Sequence, residues 1–215
     1  MAKIGSLEPL MIEELRDILD AEKQVTKALP KMAKAASSEQ LRAAFQEHQR
    51  QTSEQIQRLN QVFEEIGARP RGKTCEAMKA LIDEGQQMME EVEPGPTRDA
   101  LLIAAAQKVE HYEMAAYGTA RTFASLLGHD EAARLLEQTL EQEKETDARL
   151  TGIAESVSNP QAAGRSAERG RGASAGSMRG SARSSASDRP GSSGRGGARK
   201  TQSRSRTAST RGKKR

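Results

Sequence analysis

The chain has 215 residues, only 2% of them aromatic and none of them Trp, and a core of Leu, Ile, Val, Met and Ala suits helices better than sheets. The formal net charge of +4 hides two different materials: residues 161–215 carry 15 Lys and Arg against 2 Asp and Glu, whereas residues 1–160 carry 19 against 28. Cys75 is the only cysteine, which excludes an internal disulfide; no apolar run has the form of a signal peptide or the ~20-residue length of a membrane span, so a cytoplasmic protein with no membrane partner is expected.

The first helix is expected over residues 6–36, with Ser6 as N-cap and Glu8, Glu13 and Glu14 toward the positive end of its dipole. Its apolar stripe runs Leu15, Ile18/Leu19, Glu22, Val25, Leu29, Met32. Pro30 lies inside the pattern and should bend the helix or split off its last turn. Ser38 opens a second helix that holds its pattern to Ile66, with the stripe Leu41, Phe45, His48, Thr52, Ile56, Leu59, Phe63. Gly67 ends it, and Arg69-Pro70-Arg71-Gly72 is a loop.

A shorter helix, weakened by Gly85, is expected over 74–92, before the breaker Pro94-Gly95-Pro96. Thr97 then caps a third long helix, to Leu127, with the stripe Leu102, Ala106, Glu110, Glu113, Tyr117, Ala120, Ala124. Gly128-His129 closes it. Asp130 caps the fourth, to about Ser156, with the stripe Leu136, Leu140, Glu143, Asp147, Leu150, Ala154. All four stripes step by three or four residues, the period of one helix face. After Pro160 the periodicity stops. The Ser, Gly, Ala and Arg that follow cannot bury enough surface to offset chain entropy, so disorder is expected from about Asn159. The chain therefore divides into a helical bundle, residues 1–158, and a basic tail, residues 159–215.

The short first-to-second and third-to-fourth connections favour antiparallel hairpins, and the long connection between them contains its own helix. Two hairpins joined by one long crossover make an all-α, ferritin-like four-helix bundle. In such a bundle neighbouring helices run in opposite directions, so only groups near every midpoint fall in one layer. Glu22, His48, Glu110, Glu113, Glu143 and Asp147 all interrupt their stripes there. A lone Glu on an apolar stripe is ordinarily an edge residue or half of a buried pair, and a lone His a hydrogen-bonded core residue. The coincidence of four interrupted midpoints is what points to a shared metal ion. Carboxylate oxygens with imidazole suit iron or manganese, as a di-iron or a mononuclear centre. Tyr112 and Tyr117 read as packing residues, His111 as turned away from the core, and His129 as a loop residue.

The stretches LRDILDAEKQVTKALPKMAKAA, HQRQTSEQIQRLNQVFEEIG, KTCEAMKALIDEG, VEHYEMAAYGTARTFASLLG and LEQTLEQEKETDARLT resemble, in order, the YciE/YciF-like ferritin-like proteins (the DUF892 family), bacterial proteins associated with stress responses. The resemblance covers about residues 4–157. It implies a ferritin-like bundle, a homodimer and a di-iron-type centre handling iron or peroxide. One feature departs from the ferritin and rubrerythrin pattern of Glu-x-x-His on two helices. The second helix here offers His48-x-x-Gln51 and the fourth Glu143-x-x-x-Asp147. Gln51 is a poor metal ligand and belongs in an outer shell, and Glu54 lies off the stripe. The alternative is thus a non-enzymatic helical dimer with a vestigial site, working through its tail.

The tail is a flexible polycation, and nucleic acid is the commonest polyanion in a cell. Arg195, Arg199, Lys200, Arg204, Arg206, Arg211, Lys213, Lys214 and Arg215 are the expected phosphate contacts. With no aromatic residue in the tail to stack on bases, binding to DNA or RNA should show little sequence preference and would associate the protein with the nucleoid.

Overall fold

The computed structural model describes residues 4–71 and 73–164. They form five α-helices in chain order: α1 (Leu7–Ala35), α2 (Glu39–Glu65), α3 (Glu76–Glu91), α4 (Pro96–Leu126) and α5 (Asp130–Ile153). The long helices α1, α2, α4 and α5 make the bundle. Helix α1 packs on α2 and α4, and α5 packs on the same two. Helix α3 is the crossover and lies against α4 and α1. This is the ferritin-like arrangement of two hairpins and one long connection.

The apolar core falls into two layers. One contains Val25, Leu29, Leu41, Phe45, Leu102 and Leu150. The other contains Leu15, Ile18, Leu59, Phe63, Ala120 and Leu136. Each long helix therefore crosses from one layer to the other near its midpoint, in directions that alternate around the bundle. The polar interruptions of the four stripes lie where each helix crosses.

Local chemistry sets the helix ends. Ser38 caps α2, its hydroxyl accepting from the Leu41 N–H at 3.4 Å. Gly67, at φ 66°, closes α2: the Ala68 N–H reaches back to the Phe63 carbonyl at 2.9 Å. A six-to-one bond around a left-handed residue is the glycine-terminated helix stop, which a Cβ disfavours. Helix α1 runs unbroken through Pro30 instead of shedding its last turn. Pro30 faces solvent, where water can satisfy the Thr26 carbonyl that loses its donor. Helix α4 begins two residues earlier than expected, with Gly95 in place of Thr97 as N-cap and Pro96 at the first helical position, where proline's fixed φ and missing N–H fit. At α5 the N-cap is His129, and Asp130 is already helical. Helix α5 also continues beyond its expected end through a π-helical turn, Ala154–Ser158, and residues 159–164 are again helical. The remainder of the expected tail, with its nine phosphate-contact residues, lies outside the described residues.

Two polar ties fix the connections. The buried Asp99 carboxylate in the first turn of α4 accepts from the Ser37 N–H at 2.7 Å and the Ser38 N–H at 2.8 Å, clasping the α1–α2 turn. Asp20 accepts from the Cys75 N–H at 2.8 Å, and Gln24 donates to the Cys75 carbonyl at 3.1 Å. These bonds fasten the start of α3 to α1. Hydrogen bonds to a charged acceptor contribute roughly 1.5–3 kcal/mol each, and a donor left buried and unpaired costs more. Asp99→Ala is therefore expected to lower the unfolding free energy by about 3 kcal/mol, read as a lower urea midpoint at unchanged slope.

Candidate metal centre

The layer between the two apolar cores is acidic. Glu22 on α1, His48 on α2, Glu110 and Glu113 on α4 and Glu143 on α5 are all buried, at no more than 2% exposure. Glu110 and Glu113 sit one turn apart on the same face, as their three-residue spacing dictates. One ligand atom from each of His48, Glu110, Glu113 and Glu143 lies within 4.8 Å of the others. Two ligands on opposite sides of one ion, at about 2.1 Å each, stand about 4.2 Å apart. The four side chains thus converge on a space of ionic dimensions, with only a small contraction needed.

His48 is the pivot. Its Nδ1 is 3.3 Å from Glu110 Oε1 and its Nε2 is 3.6 Å from Glu143 Oε2. Neither approach has hydrogen-bond geometry. Both oxygens of Glu110, Glu113 and Glu143, both nitrogens of His48 and one oxygen of Glu22 are buried without a hydrogen-bond partner among the described residues. Native proteins leave few buried polar groups unpaired, and an unpaired carboxylate is the most costly kind. A divalent cation would satisfy several of these groups together. It would take one imidazole nitrogen and leave the other beside a carboxylate, the usual outer partner of a ligating His.

The electrostatics agree with the geometry. Burial, and then the Glu143 charge, hold the carboxyls of Glu22 and Glu110 well above the usual carboxylate range. Burial, and then the Glu22 charge, do the same to Glu113. A cation at the centre reverses this preference by favouring the ionised forms.

Not every midpoint residue reaches the same point. Glu22 stands beside the four-residue cluster, not in it, and accepts a hydrogen bond from the buried Tyr117 hydroxyl. Tyr117 therefore orients a carboxylate as well as packing. Asp147, expected to close the site with Glu143, sits at the rim instead. It is partly exposed and accepts from Gln107 Nε2 at 3.0 Å, with the exposed His111 Nε2 3.5 Å away. Four residues along a helix carry a side chain about 6 Å up the axis and 40° around it, enough to take Asp147 out of the layer. Glu54 is exposed, and Gln51 is half-buried next to the cluster.

Two polar residues were not singled out by the sequence pattern. Gln55 is buried and donates to Gln142 at 3.4 Å. Arg58 Nη1 donates to Thr139 at 2.7 Å and to Gln142 at 3.0 Å, and its charge opposes the rise of the Glu22 carboxyl. Gln55 lies three residues after Thr52 and four before Leu59, on the buried face of α2, where the expected stripe has Ile56, which is only half-buried. Its spacing is the signal, and Arg58, off the stripe, has none. Tyr112, which read as a packing residue, donates to Asp17 at 2.6 Å and lies 3.1 Å from the Cys75 sulfur. It ties α4 to the crossover and to α1.

Comparison with known proteins agrees with this architecture. The sequence pattern of the family described as "Domain of unknown function (DUF892)" matches residues 6–163. Protein YciF of Escherichia coli K12 is 49% identical over 150 residues, 69% of this chain and 90% of that one. The crystal structure of the E. coli stress protein YciF superposes with a TM-score of 0.69 at 47% identity, covering 70% of this chain and 96% of that one. A Rhodopseudomonas palustris structure named YcfI superposes at 0.68 with 42% identity, covering 69% and 95%. On sequence and on fold, the chain belongs to the DUF892 family.

Proposed function

We propose that this protein is a ferritin-like stress protein whose bundle holds an iron or manganese centre and acts in iron or peroxide redox handling. One observation carries the reading: an imidazole and three carboxylates converge from three helices, buried and without hydrogen-bond partners among the described residues. His48, Glu110, Glu113 and Glu143 are the ligands of this proposal. Glu22, steadied by Tyr117, supplies a further carboxylate beside them, and Asp147 serves at the rim. Four buried glutamates balance the charge of two divalent ions, which favours a di-iron-type centre over a mononuclear one. Bound iron would supply one-electron chemistry toward dioxygen or peroxide. The chain's own part is to fix the donors on rigid helices, exclude bulk water with an apolar layer on either side, and keep the carboxylates ionised once the cation is present. E. coli YciF is a stress protein, which supports the same cellular setting here.

A second reading rests on Gln51, which stands where a second ligand of α2 would be and lacks a charge. It makes the site vestigial and the protein a non-enzymatic homodimer working through its basic tail. Metal content separates the two. After anaerobic Fe²⁺ loading and desalting, the wild type is expected to retain one or two metals per chain, and Glu110→Ala/Glu143→Ala to retain none while staying folded. Retention of no metal by a folded wild type would leave only the second reading.

The acid layer also sets an unusual pH dependence. Glu22, Glu110 and Glu113 have folded-state pKa values raised above the unfolded carboxylate value of about 4.3. The folded state therefore binds more protons than the unfolded state above that pH. Stability of the metal-free protein is fully present below the unfolded pKa and declines as pH rises through the raised values. With metal bound the sign reverses, because protons compete with the cation for the same oxygens. Melting temperatures between pH 5 and 8 should fall with pH for the metal-free protein and rise for the loaded one. Parallel slopes would argue against the centre.

For the tail we propose non-specific binding of DNA or RNA through residues 165–215. Each phosphate contact contributes about −0.9 to the slope of log K against log salt on duplex DNA. Fluorescence anisotropy should give a steep slope for the full chain, equal affinity for unrelated sequences, and no binding once residues 165–215 are deleted. Unchanged affinity after deletion would place any binding on the bundle.

A further inference from the structure

Two openings lead to His48, one mainly apolar and one of mixed polarity. The first is an apolar cavity of about 50 Å³ between α1, α3 and α4. Its walls are mainly aliphatic, Val25, Leu29, Ile82 and Leu102 among them, with Lys31 and Gln86 toward solvent and the buried His48 and Glu110 at the other end. The second, about 130 Å³, opens between α2 and α5, where Gln51, Glu145, Thr146 and Arg149 face His48 alongside the apolar Phe45 and Leu150. The crossover helix makes the first cavity narrow. A Cβ added at Gly85 of α3 would come within 3.2 Å of the Ala105 Cβ on α4, so glycine lets the two helices close over the space.

Size and polarity together define the guest. One water-sized guest needs about 10–15 Å³ of such space, so this cavity accepts a molecule of a few heavy atoms and excludes a fatty chain. A hydrocarbon-lined cavity stays dry and takes apolar guests such as xenon. Hydrogen peroxide would surrender its hydrogen bonds to water along the aliphatic stretch of the walls and recover some only at the ends, where Lys31 and Gln86 or His48 and Glu110 face the space. Dioxygen has none to lose. We propose that the α1–α3–α4 cavity is a dioxygen-binding passage, leading an apolar oxidant to the His48–Glu110 side of the cluster. The purpose of the passage rests on the metal-centre reading; occupancy by the gas does not. Polar species reach His48 from the α2–α5 side, past Gln51 and Arg149, which makes the two faces of one imidazole separate approaches.

Occupancy is tested first on the metal-free full-length protein. Under dioxygen pressure, paramagnetic relaxation of methyl groups should be strongest at Val25, Leu29 and Ile82 and weak at Leu15 and Leu136 in the opposite apolar layer. Xenon at the same pressure should shift the same cavity methyls. Uniform enhancement of buried methyls, or enhancement confined to the surface, overturns the proposal. The passage is then tested with Ile82→Trp, on the half-exposed face of α3, and with Ala28→Leu as a milder filler. Each should remove the methyl enhancement. In iron-loaded protein each should slow oxidation by dioxygen several-fold and leave oxidation by hydrogen peroxide unchanged. Equal slowing with both oxidants, or none with either, overturns the passage. Failure of the wild type to bind iron defeats the metal-centre reading, while the methyl measurement still decides the gas site.

Discussion

Like charges in a dry interior constrain this bundle more than any other interaction. Two carboxylates about 4 Å apart at an effective dielectric constant of about 20 repel by roughly 4 kcal/mol. Glu22, Glu110, Glu113 and Glu143 are all buried in one layer, and each also forfeits its hydration. Only protons or cations relieve such a layer. Its presence at the middle of the fold means that part of the possible apolar core has been given over to a site whose stability depends on what it holds. A buried acidic layer of this kind is a poor device for stability and a good one for binding a cation.

The rest of the molecule keeps that layer in place. Apolar side chains seal it at both ends, so bulk water does not solvate the carboxylates along the bundle axis. The two hairpins hold their donors on long helices, which are more rigid than loops. Asp99 clasps the α1–α2 turn, and Asp20 with Gln24 fastens the crossover to α1. Tyr117 restrains Glu22, and Arg58 offsets part of the negative charge nearby. The sealing is incomplete in one respect that matters chemically. His48 is approached through a mainly aliphatic slot on one side and one of mixed polarity on the other.

Membership of the DUF892 family accounts for residues 6–163, and the described helices extend through 164. The basic segment beyond them has a different composition and answers to different physics. Its positive charge is opposite in sign to that of the acidic body.

Much of this was legible before folding was considered. The 3.6-residue period marked four long helices, the glycines at 67 and 128 marked two of their ends, and the interrupted stripes named Glu22, His48, Glu110, Glu113 and Glu143 as buried. These signals are local, because a helix's apolar face is written in its own residues. Tertiary structure decided the rest. It turned Asp147 to the rim, set Glu22 against Tyr117, brought Arg58 and Gln55 beside Gln142, and carried the last helix past Ser158. It also laid α3 over α1 and α4 to leave a slot leading to His48. Those outcomes depend on the rotation and axial offset of one helix against another. That relation is fixed by packing between segments far apart in the chain, and no single segment encodes it.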